Sequence, residues 1–418
     1  MRLVRISQSE LEDILQKHTM FRAARMGGAR AILAYHDLSG MSLAGQDLSH
    51  ADFTGAALCQ TDLRDTRLDY STLFSADLRL AAMQNASLVR ADMRGVCMRG
   101  ALLVNADMTD ADLREGTITS RDGTYMVPGE TELPFPTTGV ADLSGANLSR
   151  AKLSGAIANN CDFSDATMRG CRITRANLQG VNMQGVNLEN ADFSMCDVKG
   201  ANLQRAILIN VTTTATLLDQ ADTTGALTEA PTGPTIKNLP MPLAEYMRQH
   251  LTWLTSDGKS GRRFEVNGFD MRRAPSFAHS CLSMMCAEGA MLYGLDFSYA
   301  QMQVSDFKKA DLRHAHLAHA DLRGSELAGA NLNNANMQEI RLQPLELAGG
   351  RIVSTSLVGA SLRYADLSGA VLKNVDFTGA DLTNANLTEA DIEGALFTNA
   401  KVDGVRLSPG QRLTSLVE

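Results

Sequence analysis

Apolar side chains recur at every fifth position through the first part of this chain. From Leu38 the row runs Leu43, Leu48, Phe53, Leu58, Leu63, Leu68, Leu73, Leu78, Met83, Leu88, Met93, Met98, Leu103, Met108, Leu113 and Ile118 without a miss. A small residue stands two places before most of them, as at Ala51, Ala56, Ala76 and Ala81, and Asp repeatedly stands one place before.

That period suits neither regular element. On a helix, five residues overshoot one turn by roughly 140°, so the row would spiral over every face. On a strand, five steps reverse the side chain, so successive leucines would alternate in and out. A cornered coil keeps the whole row inside, each five-residue unit forming one side. One unit has no core of its own and must stack on its neighbours.

The rhythm stops over residues 119–140 and resumes at Leu143 in the same phase, so this segment reads as extruded from a continuous coil. Pro128-Gly129 suits a type II turn, and residues 124–127 facing 131–135 suit a short hairpin. A second array runs from Leu143 to Leu208, with Ala158 as its one small central residue. Beyond it the in-phase positions become Thr213, Leu218, Thr223, Thr228 and Gly233, and the array decays. A third runs from about Phe277 to Leu407.

Two stretches have a helical period instead. Ser7 and Glu10 have capping-box spacing ahead of Leu11, Ile14, Leu15, His18 and Phe21, with Gly27 and Gly28 as the stop. After a break at Pro231, Gly233, Pro234, Pro240 and Pro242, the residues Leu243, His250, Trp253, Gly261 and Arg262 echo Leu11, His18, Phe21, Ala29 and Arg30. Asp270 and Met271 then echo Asp37 and Leu38 with one residue inserted. A coil leaves unpaired backbone and an apolar cross-section at its end, so each helix reads as a lid, and His18 and His250 as packed beneath it.

The units Ala51-Asp52-Phe53-Thr54-Gly55, Ala141-Asp142-Leu143-Ser144-Gly145 and Ala380-Asp381-Leu382-Thr383-Asn384 resemble the A-(D/N)-L-x-x consensus of pentapeptide repeat proteins. The resemblance implies an all-β solenoid, a right-handed quadrilateral β-helix of about twenty residues per coil. The expected layout is a capping helix and linker over 1–35, a first solenoid over 36–228 with the inserted loop 119–140, a linker and second capping helix over 229–270, a second solenoid over 271–410, and a tail over 411–418.

Composition adds limits. The net charge of −8 and the lack of a basic tract argue against direct nucleic-acid binding. Residues 1–10 lack the apolar core of a signal peptide, and no apolar run has the length of a membrane span, which leads to a cytoplasmic expectation. Of seven cysteines, Cys161, Cys171 and Cys196 occupy the small inward slot, and no paired short spacing suggests zinc or disulfides.

No catalytic, cofactor or metal set emerges. Gly258-Lys259-Ser260 resembles the end of a phosphate loop but has Trp253 where the opening glycine belongs. His314, His316 and His319 fall outside the inward slots, and His314 and His319 lie on successive sides. Asp257 to Arg263 holds Lys259, Arg262 and Arg263, which suit a solvated linker better than an anion site.

The leading expectation is a non-enzymatic scaffold that presents flat faces to a protein partner. Candidate contacts are Tyr125, Met126, Pro128, Gly129 and Glu130 in the insertion, and Asp306, Glu326, Glu346 and Asp366, which a twenty-residue spacing would place in one acidic column continued by Asn386. In the first array Asp52, Asp92 and Asp112 align, interrupted by Thr72 and flanked by Arg94 and Arg114. The alternative is a DNA-mimicking modulator of DNA gyrase or another type II topoisomerase, the mechanism that the resemblance attributes to some family members. Those members typically dimerise through a C-terminal helical module, which residues 408–418 are too short to supply.

Overall fold

The computed structural model describes residues 3–116 and 139–413. The chain forms two tandem right-handed quadrilateral β-helices, each preceded by a short helix. They fall in two compact units, Met1–Glu229 and Ala230–Glu418, each with its own continuous hydrophobic core.

Five backbone amides per repeat explain the consensus. Around Phe53, the Ala51 amide donates to Leu48 O across the corner, Asp52 to Ala31 O of the coil before, and Phe53 and Gly55 to Thr72 O and Phe74 O of the coil after. The fifth, on Thr54, has no backbone partner and donates to Asp52 Oδ1 at 3.0 Å. Asp or Asn before the central residue is therefore a backbone acceptor, and Asn147, Asn177, Asn182 and Asn202 serve as well as Asp. The central residue and the small one two places before it point inward: Leu63, Leu188 and Leu367 are buried, as are Ala51, Ala191 and Ala365.

Hydroxyls and thiols in the small slot are tied down too. Thr61 Oγ1 donates to Leu38 O at 3.0 Å, and the thiols of Cys171 and Cys196 approach Leu148 O and Ile173 O at 2.7 Å. Cys161 makes the same contact with Leu113 O. These cysteines are buried alanine substitutes that also satisfy a carbonyl.

Parallel bridges join residues twenty apart, as in Asp37 with Ala57 and Ala57 with Asp77. Two strides differ. Cys97 bridges Asp142, forty-five residues on, so the ladder of described residues continues without a break. The inserted residues join the coil at Gly116 and Gly139, themselves joined at 2.6 Å, which moves the edges of the insertion from the expected 119–140. Bridges then continue to Leu227, past the decay in the apolar row.

In the second unit Glu326 bridges Ser356, thirty residues on. The extra ten residues form an antiparallel hairpin of β3 (Leu345–Glu346) and β4 (Ile352–Val353). Pro344 precedes it and Gly349-Gly350, both at positive φ, lie at its tip.

Helix α1 spans Gln8–Arg22 behind the complete Ser7/Glu10 capping box, and Ala24 at φ 50° follows it, so the helix stops before Gly27. Ahead of it β1 (Val4–Arg5) pairs in parallel with β2 (His36–Asp37). Helix α2 spans Leu243–Thr255.

The two modules match, in a register that differs from the expected one. Gly28 lies so close to α1 that a Cβ would fall 2.3 Å from Phe21 N, and Gly261 lies so close to α2 that one would fall 2.3 Å from Gln249 O. Gly261 thus corresponds to Gly28, not Ala29. Arg262 N donates to Gln249 O as Ala29 N does to Lys17 O. The inserted residue therefore lies between helix and coil, before Gly261.

Candidate functional site

What each solenoid offers is its outer walls. The residue before each central one, and the two after it, project outward in columns spaced by the strand separation of about 4.8 Å. Many wall carboxylates are neutralised within their own repeat. In Asp-x-Arg units the arginine turns back on the aspartate: Arg79 Nε and Nη2 reach Asp77 at 2.8 and 2.7 Å, Arg94 does so to Asp92, and Arg313 and Arg323 to Asp311 and Asp321. Hydrogen bonds from Arg64 hold the Asp62 carboxyl down to about 2.

The expected acidic column does not form. Asp306 and Glu326 are bridged neighbours, but the hairpin intervenes and the next member is Ser356, followed by Asp376 and Leu396. Glu346 lies exposed in β3 opposite Ile352. Asp366 belongs to another wall, between Asn336 and Asn386, where Gln338 and Asn386 donate to it at 2.7 and 2.8 Å. Asp306 is also paired with Lys308 at 3.0 Å. The column through Asp52, Thr72, Asp92 and Asp112 does form, with Arg94 and Arg114 bound to its last two carboxylates. Tyr125, Met126, Pro128, Gly129 and Glu130 lie outside the described residues.

His314, His316 and His319 are not brought together. His314 meets Tyr293 edge-on, His316 bridges Asp296 and Asn336 on a wall, and His319 stacks on Tyr299 with Nδ1 3.3 Å from Glu339. No group of three or more His, Cys, Asp or Glu suited to a metal ion occurs among the described residues. Ser260 of the Gly-Lys-Ser segment donates to Ser256 Oγ, in the turn that follows α2.

Sequence reasoning missed the aromatic columns. His279, Tyr299 and His319 stack with centroids 4.9 and 4.5 Å apart, and His50 stacks on Tyr70 at 5.2 Å. The twenty-residue spacing of these rings was the available signal. Each occupies the corner position at φ near +60°, Tyr299 and Tyr70 about half exposed.

Both cap histidines sit under their helices. His18 and His250 are buried, and each Nδ1 accepts an amide hydrogen from the first coil, Ala31 at 3.0 Å and Phe264 at 3.1 Å. On the second module Tyr246 Oη also accepts from Glu265 N at 3.1 Å.

The family model for pentapeptide repeats matches residues 29–65, 61–100, 141–180, 171–210, 305–343, 354–394 and 376–408, together more than half of the chain. The chain belongs to the pentapeptide repeat family. Among solved structures it is similar to a trypsin-treated form of QnrB1, a plasmid-mediated fluoroquinolone resistance protein, at 19% identity over 46% of this chain and 91% of that one, TM-score 0.26. It is also similar to HetL, a pentapeptide repeat protein involved in heterocyst differentiation regulation from Nostoc sp. strain PCC 7120, at 19% identity over 98% and 100%, TM-score 0.16. Rfr23 from Cyanothece 51142 is 23% identical over 31% and 60%, TM-score 0.14. All three superpose poorly. Comparison with the sequences of curated proteins gives no match. No described helix of this pentapeptide repeat chain is long and apolar enough to cross a membrane.

Proposed function

We propose that this protein is a non-enzymatic scaffold whose flat solenoid walls dock a protein partner. The observation that carries the reading is the division of labour within each repeat. Two of five side chains fill the core, and the rest stand in parallel columns on broad walls, diverging around the tube. Columns of that kind suit an extended macromolecular face rather than a small substrate. The β3–β4 hairpin interrupts a wall and the inserted residues join the coil at Gly116 and Gly139, and both are the first candidates for contacts that distinguish one partner from another.

DNA mimicry of a topoisomerase substrate draws less support. The second unit, where an acidic ridge was expected, has 18 basic against 20 acidic residues, and the first has 21 against 27. Wall aspartates recur because the backbone needs their side-chain oxygens, and Asn replaces them freely.

The test is capture from the protein's native cells with the tagged full chain, beside a variant lacking residues 117–138 and one carrying Glu346→Ala and Ile352→Ala. The scaffold reading predicts a reproducible partner retained by the full chain and weakened by at least one variant. Retention of no protein above that on an unrelated bait of equal charge overturns it. Supercoiling by purified gyrase decides the alternative: no effect at roughly micromolar protein, well above the Kd of an ordinary specific complex, disposes of it.

A further inference from the structure

The same device holds both caps. In an interior repeat the amide of the small-slot residue donates to the central carbonyl three places earlier, as Ala51 N does to Leu48 O. The first coil of each module has no preceding side to supply that carbonyl. His18 Nδ1 takes its place for Ala31, and His250 Nδ1 for Phe264. Each imidazole is stacked on the aromatic ring one turn later in its own helix, Phe21 at 5.7 Å and Trp253 at 5.9 Å.

An Nδ1 that accepts has no proton, so both rings are neutral with hydrogen on Nε2. Each Nε2 is buried without a hydrogen-bond partner. Protonation would set an N–H on Nδ1 against the amide hydrogen it now accepts, and would leave a cation under the cap. We propose that the two cap helices are acid-released, each held down by a neutral histidine and loosened when that histidine gains a proton.

The surroundings favour neutrality. Burial is the largest influence on His18 and lowers its pKa; Arg22 on its own helix and His50 on the facing corner act in the same sense, while Asp47 and the Ser49 backbone oppose them. Arg22 and Asp47 lie 3.4 Å apart and offset each other. Burial likewise dominates at His250 and lowers its pKa, aided by Arg263 and opposed by the backbone of Leu282 and Ser283. For a histidine whose folded pKa lies below the unfolded value near 6.5, the unfolded or released form binds more protons, so the cap holds fully above that pH and loosens below it. His250 has no facing carboxylate among the groups that act on it, whereas His18 has Asp47.

Trp253 is the chain's single tryptophan and lies against His250, so its emission reports the second cap. The experiment titrates Trp253 fluorescence of the full chain from pH 8 to 4, with NMR of the histidine rings. The expected result is a reversible change that follows His250 protonation with a midpoint under 6.5. The variant His250→Asn, whose carbonyl can accept the Phe264 amide hydrogen without titrating, should lose the transition while keeping the pH 8 emission. Should that variant not fold, protection of the Phe264 amide against hydrogen exchange in the wild type decides, falling by up to about tenfold per pH unit from about 6.5 down to the folded pKa and levelling off below it. Persistence of the transition in a folded His250→Asn, an imidazole protonated at or above 6.5, or Phe264 protection unchanged with pH overturns the proposal.

Discussion

Asp62 grips Arg64 at two points, Nε to Oδ1 at 2.8 Å and Nη2 to Oδ2 at 2.6 Å, while the same Oδ1 accepts the Arg64 amide hydrogen at 3.2 Å. The arginine side chain is more than half exposed, so the ion pair contributes little, and the backbone acceptor is the larger effect. Asp62→Asn should therefore cost under about 0.5 kcal/mol and Asp62→Ala about 1 kcal/mol, since the Ala variant leaves the amide without its acceptor. Denaturant unfolding of both variants checks the order, and equal losses would assign the effect to charge.

Acid should weaken the fold in a second, lower window. Hydrogen bonds from Arg64 and from Gln204 and Thr224 hold Asp62 and Asp222 down to about 2. Asp47, Asp107, Asp112, Asp270 and Asp321 are also lowered: burial, the largest influence on each, raises them, and their hydrogen bonds and cationic partners together outweigh it. Folded values below the unfolded ones mean that the unfolded chain takes up more protons, so the stability these aspartates contribute is full above about pH 4 and drains away toward pH 2. Thermal unfolding followed from pH 7 to 2 should show a falling midpoint in that range.

Thiol reactivity should follow burial. Burial pushes Cys171 up to about 12 and Cys97 and Cys196 up to about 11, and raises Cys161 further. Only the thiolate reacts, so an alkylating agent at pH 8 should modify exposed Cys281 first and leave Cys161, Cys171 and Cys196 intact until unfolding. Peptide mass spectrometry over a time course reads the order.

Val304 is a β-branched residue at φ 56°, in the left-handed region that such residues avoid. Val304→Asn keeps the turn with a residue that tolerates this conformation, and should stabilise the protein by about 1 kcal/mol. A lower melting temperature would show that the valine's contacts outweigh its strain.

The central row from Leu38 to Leu113 was legible because one period accounts for every residue in it, and those side chains are buried. The same regularity hid the hairpin. Its ten extra residues are two whole repeats, so Leu347 and Ile352 stay in phase with Leu342 and Leu357, yet Ile352 is 66% exposed. Pro344 and Gly349-Gly350 were the warning. Leu342→Ala should cost about 2–5 kcal/mol and Ile352→Ala under about 0.5, a contrast the five-residue rhythm alone does not foresee. The role of Asp before the central residue was also written in the sequence, in its exchange with Asn, but the amide it serves becomes visible once the backbone bonds are assigned. The cap histidines were placed beneath their helices by pattern, whereas the atom each one accepts from depends on a one-residue shift that pattern alone put in the wrong place.

Gly116 and Gly139 meet at 2.6 Å while Cys97 and Asp142 go on pairing as though nothing lay between them. The ladder thus closes across that seam although twenty-two residues stand between the two glycines in the sequence. A foreign sequence spliced between those two glycines could be displayed on the rod without altering a single coil above or below, making the seam a natural port for engineering new recognition.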